Sequence, residues 1–324
     1  MGRRLQEWEL PEGATSGWRG ATSRAKAAMR AFARFLRRER LGAVGLVIVL
    51  LVIVAAVAGP GIAPYGKDEV ISIPNPNYDP DSFEGDALSE TTVAILAPPS
   101  WGHPFGTDDL GRDLLTRMLY GARTALIVGV GAALLAAVAG TTIAIVSGYL
   151  GGLVDLLIQR VVDAVIAIPG LIILLLLVQA GERSLTLTVL ALATLGTFGT
   201  SRVIRSAVLG IRSSVFVEAA RTLGASPPRI MVRHVVPNLV GPIIVVFSIS
   251  IGVNILAEAG LAFLNLSAPG PSWGAIVSQG RAFIETKPMM SLVGGGAITL
   301  TVLAFNVLGD ALRDTLDPRQ RGAL

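Results

Sequence analysis

No cysteine occurs anywhere in this sequence, which removes disulfides, thiolate catalysis and zinc–cysteine sites at one stroke. Histidine is almost as scarce: His103 and His234 are the only two, and they lie far apart in the chain. No metal site is expected from them, and no cofactor. Charge is the third shortage. Charged residues make up 15% of the chain, against about a quarter in an ordinary soluble domain. What fills the space is apolar, with 52% hydrophobic residues and a mean hydropathy of +0.64. These residues cluster into runs near or above the roughly 20 needed to cross a bilayer. An all-α, polytopic membrane protein is therefore expected.

Six apolar runs place six transmembrane helices, at about 41–59, 125–149, 161–180, 185–209, 239–264 and 291–308. The chain then divides into a basic N-terminal segment (1–40), a first anchor (41–59) and a long loop (60–123). A core of five helices (124–313) and a short tail (314–324) follow. Ala56-Val57-Ala58 looks like a signal cleavage site, but about 40 residues precede the first run, far more than a signal's basic region contains. It reads as an uncleaved anchor. Pro169-Gly170 interrupts the third run and Gly241-Pro242 opens the fifth, so kinks are expected there. Gly148 to Gly152 sits at a run's end and reads as a turn.

Charge sets the orientation. Residues 1–41 carry ten basic side chains against four acidic ones, whereas 60–123 carries ten acidic and four basic. The loop from Gly210 to Asn238 holds Arg212, Arg221, Arg229 and Arg233 with the single acid Glu218. The positive-inside rule puts both termini and this loop in the cytoplasm. The basic N-terminus lacks interleaved aromatics and abuts a span, so anionic lipid headgroups are its expected partner rather than nucleic acid.

The most informative stretch is Glu218 to Pro237, EAARTLGASPPRIMVRHVVP. It reads as helix, turn, helix: Glu218 to Leu223 are mostly good helix formers, Gly224 can take the left-handed conformation that ends a helix, and Ser226-Pro227 can start the next. This string resembles the EAA loop of ABC-importer permeases, carried here by Glu218, Ala219, Ala220, Gly224, Ala225, Ser226, Ile230, His234 and Pro237. The resemblance implies that these residues couple the chain to an ATPase. A second string, HPFGTDDLGRDLLTRMLYGARTAL from His103, resembles the segment before the second span in the dipeptide, oligopeptide and nickel subgroup. Read locally, Thr107 or Asp108 caps a helix lying on the outer surface, with Arg112 and Arg117 beside Asp109 and Asp113. APGPSWGAIVSQGR from Ala268 is expected as an outer loop with Trp273 as an interfacial anchor. Tyr65 to Ser100, rich in Pro, Asp, Asn and Ser, is expected to be irregular.

Chemistry is sparse. Gly61 to Asp68 fits GxxxxGK, but Asp68 stands where a Ser or Thr would meet magnesium, and the string follows a span rather than a strand. No ATPase is expected in this chain, and no enzyme. Within the spans, Asp163 and Glu258 are the clearest carboxylates, and with Pro169 they are the candidates for translocation or gating. Arg160 and Asp163 stand at i,i+3 spacing, which predicts a local ion pair near the start of a helix. An ion-coupled secondary transporter is the rival class, disfavoured by so few intramembrane carboxylates. The resemblance implies a multi-pass permease in a bacterial or archaeal inner membrane, importing di- or oligopeptides, with nickel chelates as the alternative. It also implies the partners: a second permease, two cytoplasmic ATPases and an extracytoplasmic substrate-binding protein.

Overall fold

The computed structural model describes residues 39–74 and 91–316. The basic segment before residue 39, the centre of the long loop and the tail lie outside the described residues. So does the expected lipid contact of the N-terminus. Ten α-helices and one two-stranded sheet account for most of what is described.

Helix α1 (Arg40–Ile62) is an apolar run with no charge after Arg40. Helix α2 (Leu114–Leu150) is 37 residues long, about 55 Å at 1.5 Å per residue, well beyond a ~30 Å hydrocarbon core. Asp113 caps it, accepting the Thr116 N–H at 2.7 Å. It ends at Gly151 and Gly152, whose φ values of 69° and 57° make the turn. Helices α3 (Gly152–Ala167) and α4 (Gly170–Gln179) meet at an 86° bend. Pro169 lacks an N–H and forces Ile168 out of the helical region, to φ −84° and ψ 131°. The third expected span is thus a broken pair rather than one kinked rod.

Helix α5 (Leu185–Arg212) starts at Ser184, which accepts the Leu187 N–H at 3.1 Å. A hairpin follows, α6 (Val215–Thr222) and α7 (Pro227–Ile230), and then a π-helical turn, Met231–Val235. Helix α8 is Val236–Phe263, α9 is Trp273–Gly280 and α10 is Met289–Leu316. Five segments are long and apolar enough to cross a membrane, and the bent α3–α4 pair brings them to six if it counts as one.

Small residues set how closely these helices pack. A Cβ on Gly140 of α2 would lie 2.7 Å from the Thr197 carbonyl oxygen of α5, and one on Gly45 of α1 would lie 2.8 Å from that of Ala304 in α10. Backbones meet directly at such points. Chain direction gives the bundle two ends. The hairpin end is where α2 and α5 finish and α8 begins. At the far end α2 and α5 begin and α8 runs into α9.

Several expectations are corrected at the far end. Residues 107–113 are not helical, so Thr107 and Asp108 cap nothing; the cap is Asp113 and the helix begins at Leu114. Asp108 instead accepts the backbone N–H groups of Leu110 and Arg112, at 2.9 and 2.8 Å, and folds a turn around itself. The long loop is not wholly irregular: β1 (Ser72–Pro74) pairs antiparallel with β2 (Thr91–Val93). Trp273 is no interfacial anchor. It is 4% exposed, packed onto the Cβ-less face of Gly121, and its indole N–H donates to the Met118 carbonyl at 3.0 Å.

Candidate functional site

The hairpin is amphipathic in three dimensions. Val217, Ala220, Ile230 and Val235 are buried against Ala144, Ile145 and Tyr149 of α2, Ile204 and Val208 of α5, and Leu239 of α8. The opposite face leaves Val215 at 83% and Leu223 at 88% exposed, beside exposed Glu218, Arg221, Arg229 and Arg233. Such apolar groups with basic neighbours form a patch suited to a protein partner.

Gly224 ends α6 at φ 80°. The Ala225 N–H reaches the Ala220 carbonyl at 3.1 Å and the Gly224 N–H that of Arg221 at 3.0 Å, the double bond of a Schellman cap. A side chain at Gly224 would meet nothing within 4 Å, so only the backbone conformation demands glycine there. Pro237 has no N–H to offer the carbonyl four residues back, and the turn before it widens accordingly. His234 lies in that turn, and its carbonyl accepts from Asn238 Nδ2 at 2.7 Å.

Above the hairpin, α5 and α8 enclose a cavity of about 720 Å³, within the usual range for small-molecule sites. Gly199, Thr200, Val203 and Ser206 line it from α5, and Pro242, Val246, Ile249, Ser250 and Asn254 from α8. Arg313 of α10 is the ionisable side chain in its wall. None of Asp163, Pro169 and Glu258 lines it. Asp163 pairs with Arg202 of α5, not with Arg160 as its spacing suggested, and it lies late in α3 rather than at a helix start. Pro169 sits at the α3–α4 bend. Glu258 is 1% exposed and accepts from the Ser267 hydroxyl at 3.1 Å, at the far end.

The cavity residues were missed in the sequence although a signal existed. Positions 196, 199, 200, 203, 206 and 207 recur at helical spacing and are small or polar, as are several of 241, 242, 245, 246, 249, 250, 253 and 254. That periodicity marks one stripe on each helix. The Gly61–Lys67 string spans the end of α1 and a turn in which Lys67 meets Asp68 at 3.6 Å.

Residues 140–322 match the family described as binding-protein-dependent transport system inner membrane component. Residues 28–82 match the N-terminal TM domain of oligopeptide transport permease C. The chain is also 36% identical over 293 residues to the glutathione transport system permease protein GsiD of Escherichia coli O6:K15:H31 (strain 536 / UPEC), covering 90% of each. The protein of that name from Shigella boydii serotype 4 (strain Sb227) matches to the same extent.

Proposed function

This chain belongs to the family of binding-protein-dependent transport inner-membrane components, and on that premise we propose how its parts import a solute. It is the multi-pass permease subunit of an ABC importer for peptide-like substrates. The relatives are named for glutathione transport, and glutathione is itself a small peptide. The hairpin is the docking element for a cytoplasmic ATPase, with Glu218, Ala219, Ala220, Gly224, Ala225, Ser226, Ile230, His234 and Pro237 building it. Both termini share its side of the membrane. A second permease faces the α5–α8 cavity to complete the translocation path, two ATPases sit below, and a substrate-binding protein delivers from outside. ATP hydrolysis belongs to the ATPases, not to this chain. Asp163, Pro169 and Glu258 then act as structural or gating groups around the path rather than as substrate ligands.

One observation carries this reading. The α6–α7 hairpin is keyed by a buried face into α2, α5 and α8 and turns exposed apolar and basic groups outward. A force on Leu223 or Val215 is thereby transmitted to the helices that wall the cavity. Closure of the ATPase pair on ATP moves the hairpins together, and the cavity exchanges inward for outward access.

The test uses the assembled importer. Gly224→Val forces a branched side chain into the left-handed region, which costs roughly 1 kcal/mol or more. Glu218→Ala removes an exposed acid from the first turn of α6. Both variants should reach the membrane normally yet lose ATPase co-purification or transport-coupled ATP hydrolysis. Wild-type assembly and transport in both would overturn the coupling assignment, since ordinary surface changes stay within about 0.5 kcal/mol.

A further inference from the structure

A second, smaller cavity opens at the far end of the bundle, remote from the hairpin, with a volume of about 370 Å³. It lies where the start of α2, the end of α8, the loop after α8 and the α4–α5 turn converge. Three guanidiniums, of Arg112, Arg117 and Arg183, and one carboxylate, of Asp68, line it. Asn265 turns the chain around its rim in the left-handed conformation, φ 57°.

The guanidiniums are not equivalent. Arg112 is the better placed: its Nε donates to Asp108 Oδ2 at 2.7 Å, while its Nη2, also 2.7 Å from that oxygen, makes no hydrogen bond among the described residues. The other Asp108 oxygen takes two backbone N–H groups, so this fully buried carboxylate is spent on its own turn. Arg117 is left over. Its side chain is 3% exposed, yet Nε and Nη1 have no hydrogen-bond partner among the described residues. Asp108 lies 3.4 Å from Nε without forming a hydrogen bond, and Asp68, 3.9 Å from Nη1, is too far for one. Asp68 is itself 59% exposed. Arg117 also stands in the first turn of α2, where the positive end of the helix disfavours a cation. A buried guanidinium without an acceptor is costly, and a charge-assisted bond to a carboxylate is the strongest available relief. Across the same cavity, Gln279 carries the converse defect: its Oε1 is buried with no donor among the described residues.

We infer that this cavity binds the C-terminal end of a small peptide, whose carboxylate pairs with Arg117 and whose terminal amide N–H donates to Gln279. An orphaned donor on Arg117 and an orphaned acceptor on Gln279, two residues that line one cavity, match the acceptor and donor that lie side by side at a peptide C-terminus. A small molecule fits better than an acidic side chain on a docking protein, because a short Asp or Glu on a protein surface cannot reach a guanidinium 3% exposed. Arg183, exposed on the rim, supplies a second attractive charge on the approach. The inference rests on the importer reading only for the side from which the peptide arrives.

Binding is measured on the purified, assembled importer without binding protein or ATP, by titration calorimetry with alanyl-alanine and with its C-terminal amide. Alanyl-alanine should bind, and the amide at least tenfold more weakly. Arg117→Gln should weaken alanyl-alanine by tenfold or more and remove the preference over the amide. Arg183→Ala, a rim change that leaves the fold intact, should weaken the dipeptide severalfold and the amide little. Equal binding of dipeptide and amide overturns the inference, as does an assembled Arg117→Gln complex with unchanged affinity. If alanyl-alanine shows no binding and the variants change only the affinity of the binding protein, the cavity is a docking socket and the inference fails. ATPase co-purification is scored on the same preparations, so a failed importer reading is seen separately from a failed peptide site.

Discussion

Arg205 of α5 grips Asp155 of α3, with its Nε 2.7 Å from Oδ1 and Nη2 on the other carboxylate oxygen. The Ser147 hydroxyl at the end of α2 donates to the same carboxylate, and Gln159 Nε2 reaches that hydroxyl at 3.0 Å. Three helices are thereby tied at one carboxylate near the hairpin end. Arg202 on Asp163 repeats the link further along α3, while Arg212 donates to the Gly148 carbonyl at 3.3 Å. Helix α3 buries little else, with Val162 its one buried residue. Polar links therefore carry much of its attachment within the subunit.

Removing one partner should be felt accordingly. Asp155→Asn or Arg205→Ala should each lower the stability of the purified protein by about 1–3 kcal/mol, the range for charge-assisted bonds. The double variant should cost little more than either single one, because both delete the same interaction. Thermal unfolding in detergent or nanodiscs reads this out. Strict additivity would mean that the pair does not hold α3.

Close backbone packing predicts a sharp contrast between two glycines. Gly140→Val must push α2 away from the Thr197 carbonyl and the Thr200 side chain, whose Cβ lies 2.8 Å from the new atom. Overpacking of this kind costs about 1–3 kcal/mol or more, and lower membrane yield should follow. Gly210→Ala on α5 meets nothing within 4 Å and should be neutral or stabilising by up to about 1 kcal/mol. The two variants are compared by yield and melting temperature, and similar losses in both would contradict the packing argument.

Sidedness has a direct check, because the chain contains no cysteine. Ser100→Cys at the far end should react with an impermeant thiol reagent in intact cells. Ser213→Cys beside the hairpin should react only after permeabilisation. Both serines are exposed, so accessibility does not confuse the result. The reversed pattern would invert the orientation proposed for both termini.

Much of the architecture was legible because its causes are local. Apolar runs long enough to span appear as helices α1, α2, α5, α8 and α10. Gly224 ends α6 as its place between two helix-forming stretches required, since few other residues accept φ near +80° at low cost. Pro169 breaks the third run for an equally local reason, though the size of the bend was not in the sequence. The turn read at Gly148–Gly152 is narrower than expected: α2 runs on to Leu150, and only Gly151 and Gly152 turn the chain.

What sequence spacing could not supply was the identity of long-range partners. Asp163 stands three residues from Arg160 and was expected to pair with it, but the fold brings Arg202 within reach instead. Trp273 follows a Pro- and Gly-rich string that looked like a surface loop, and only the missing side chain of Gly121 makes room to bury it. Asp108 was read as a possible helix cap, yet its carboxylate closes a turn, and among the described residues Nε and Nη1 of Arg117 are left without a hydrogen-bond acceptor. By itself the sequence determined the spans, the breaks and the hairpin, because hydropathy, proline geometry and glycine's positive φ act within a few residues. The tertiary structure alone decided the ion pairs, the two cavities and the burial of Arg117, because each depends on which helix faces lie opposite once the bundle has closed.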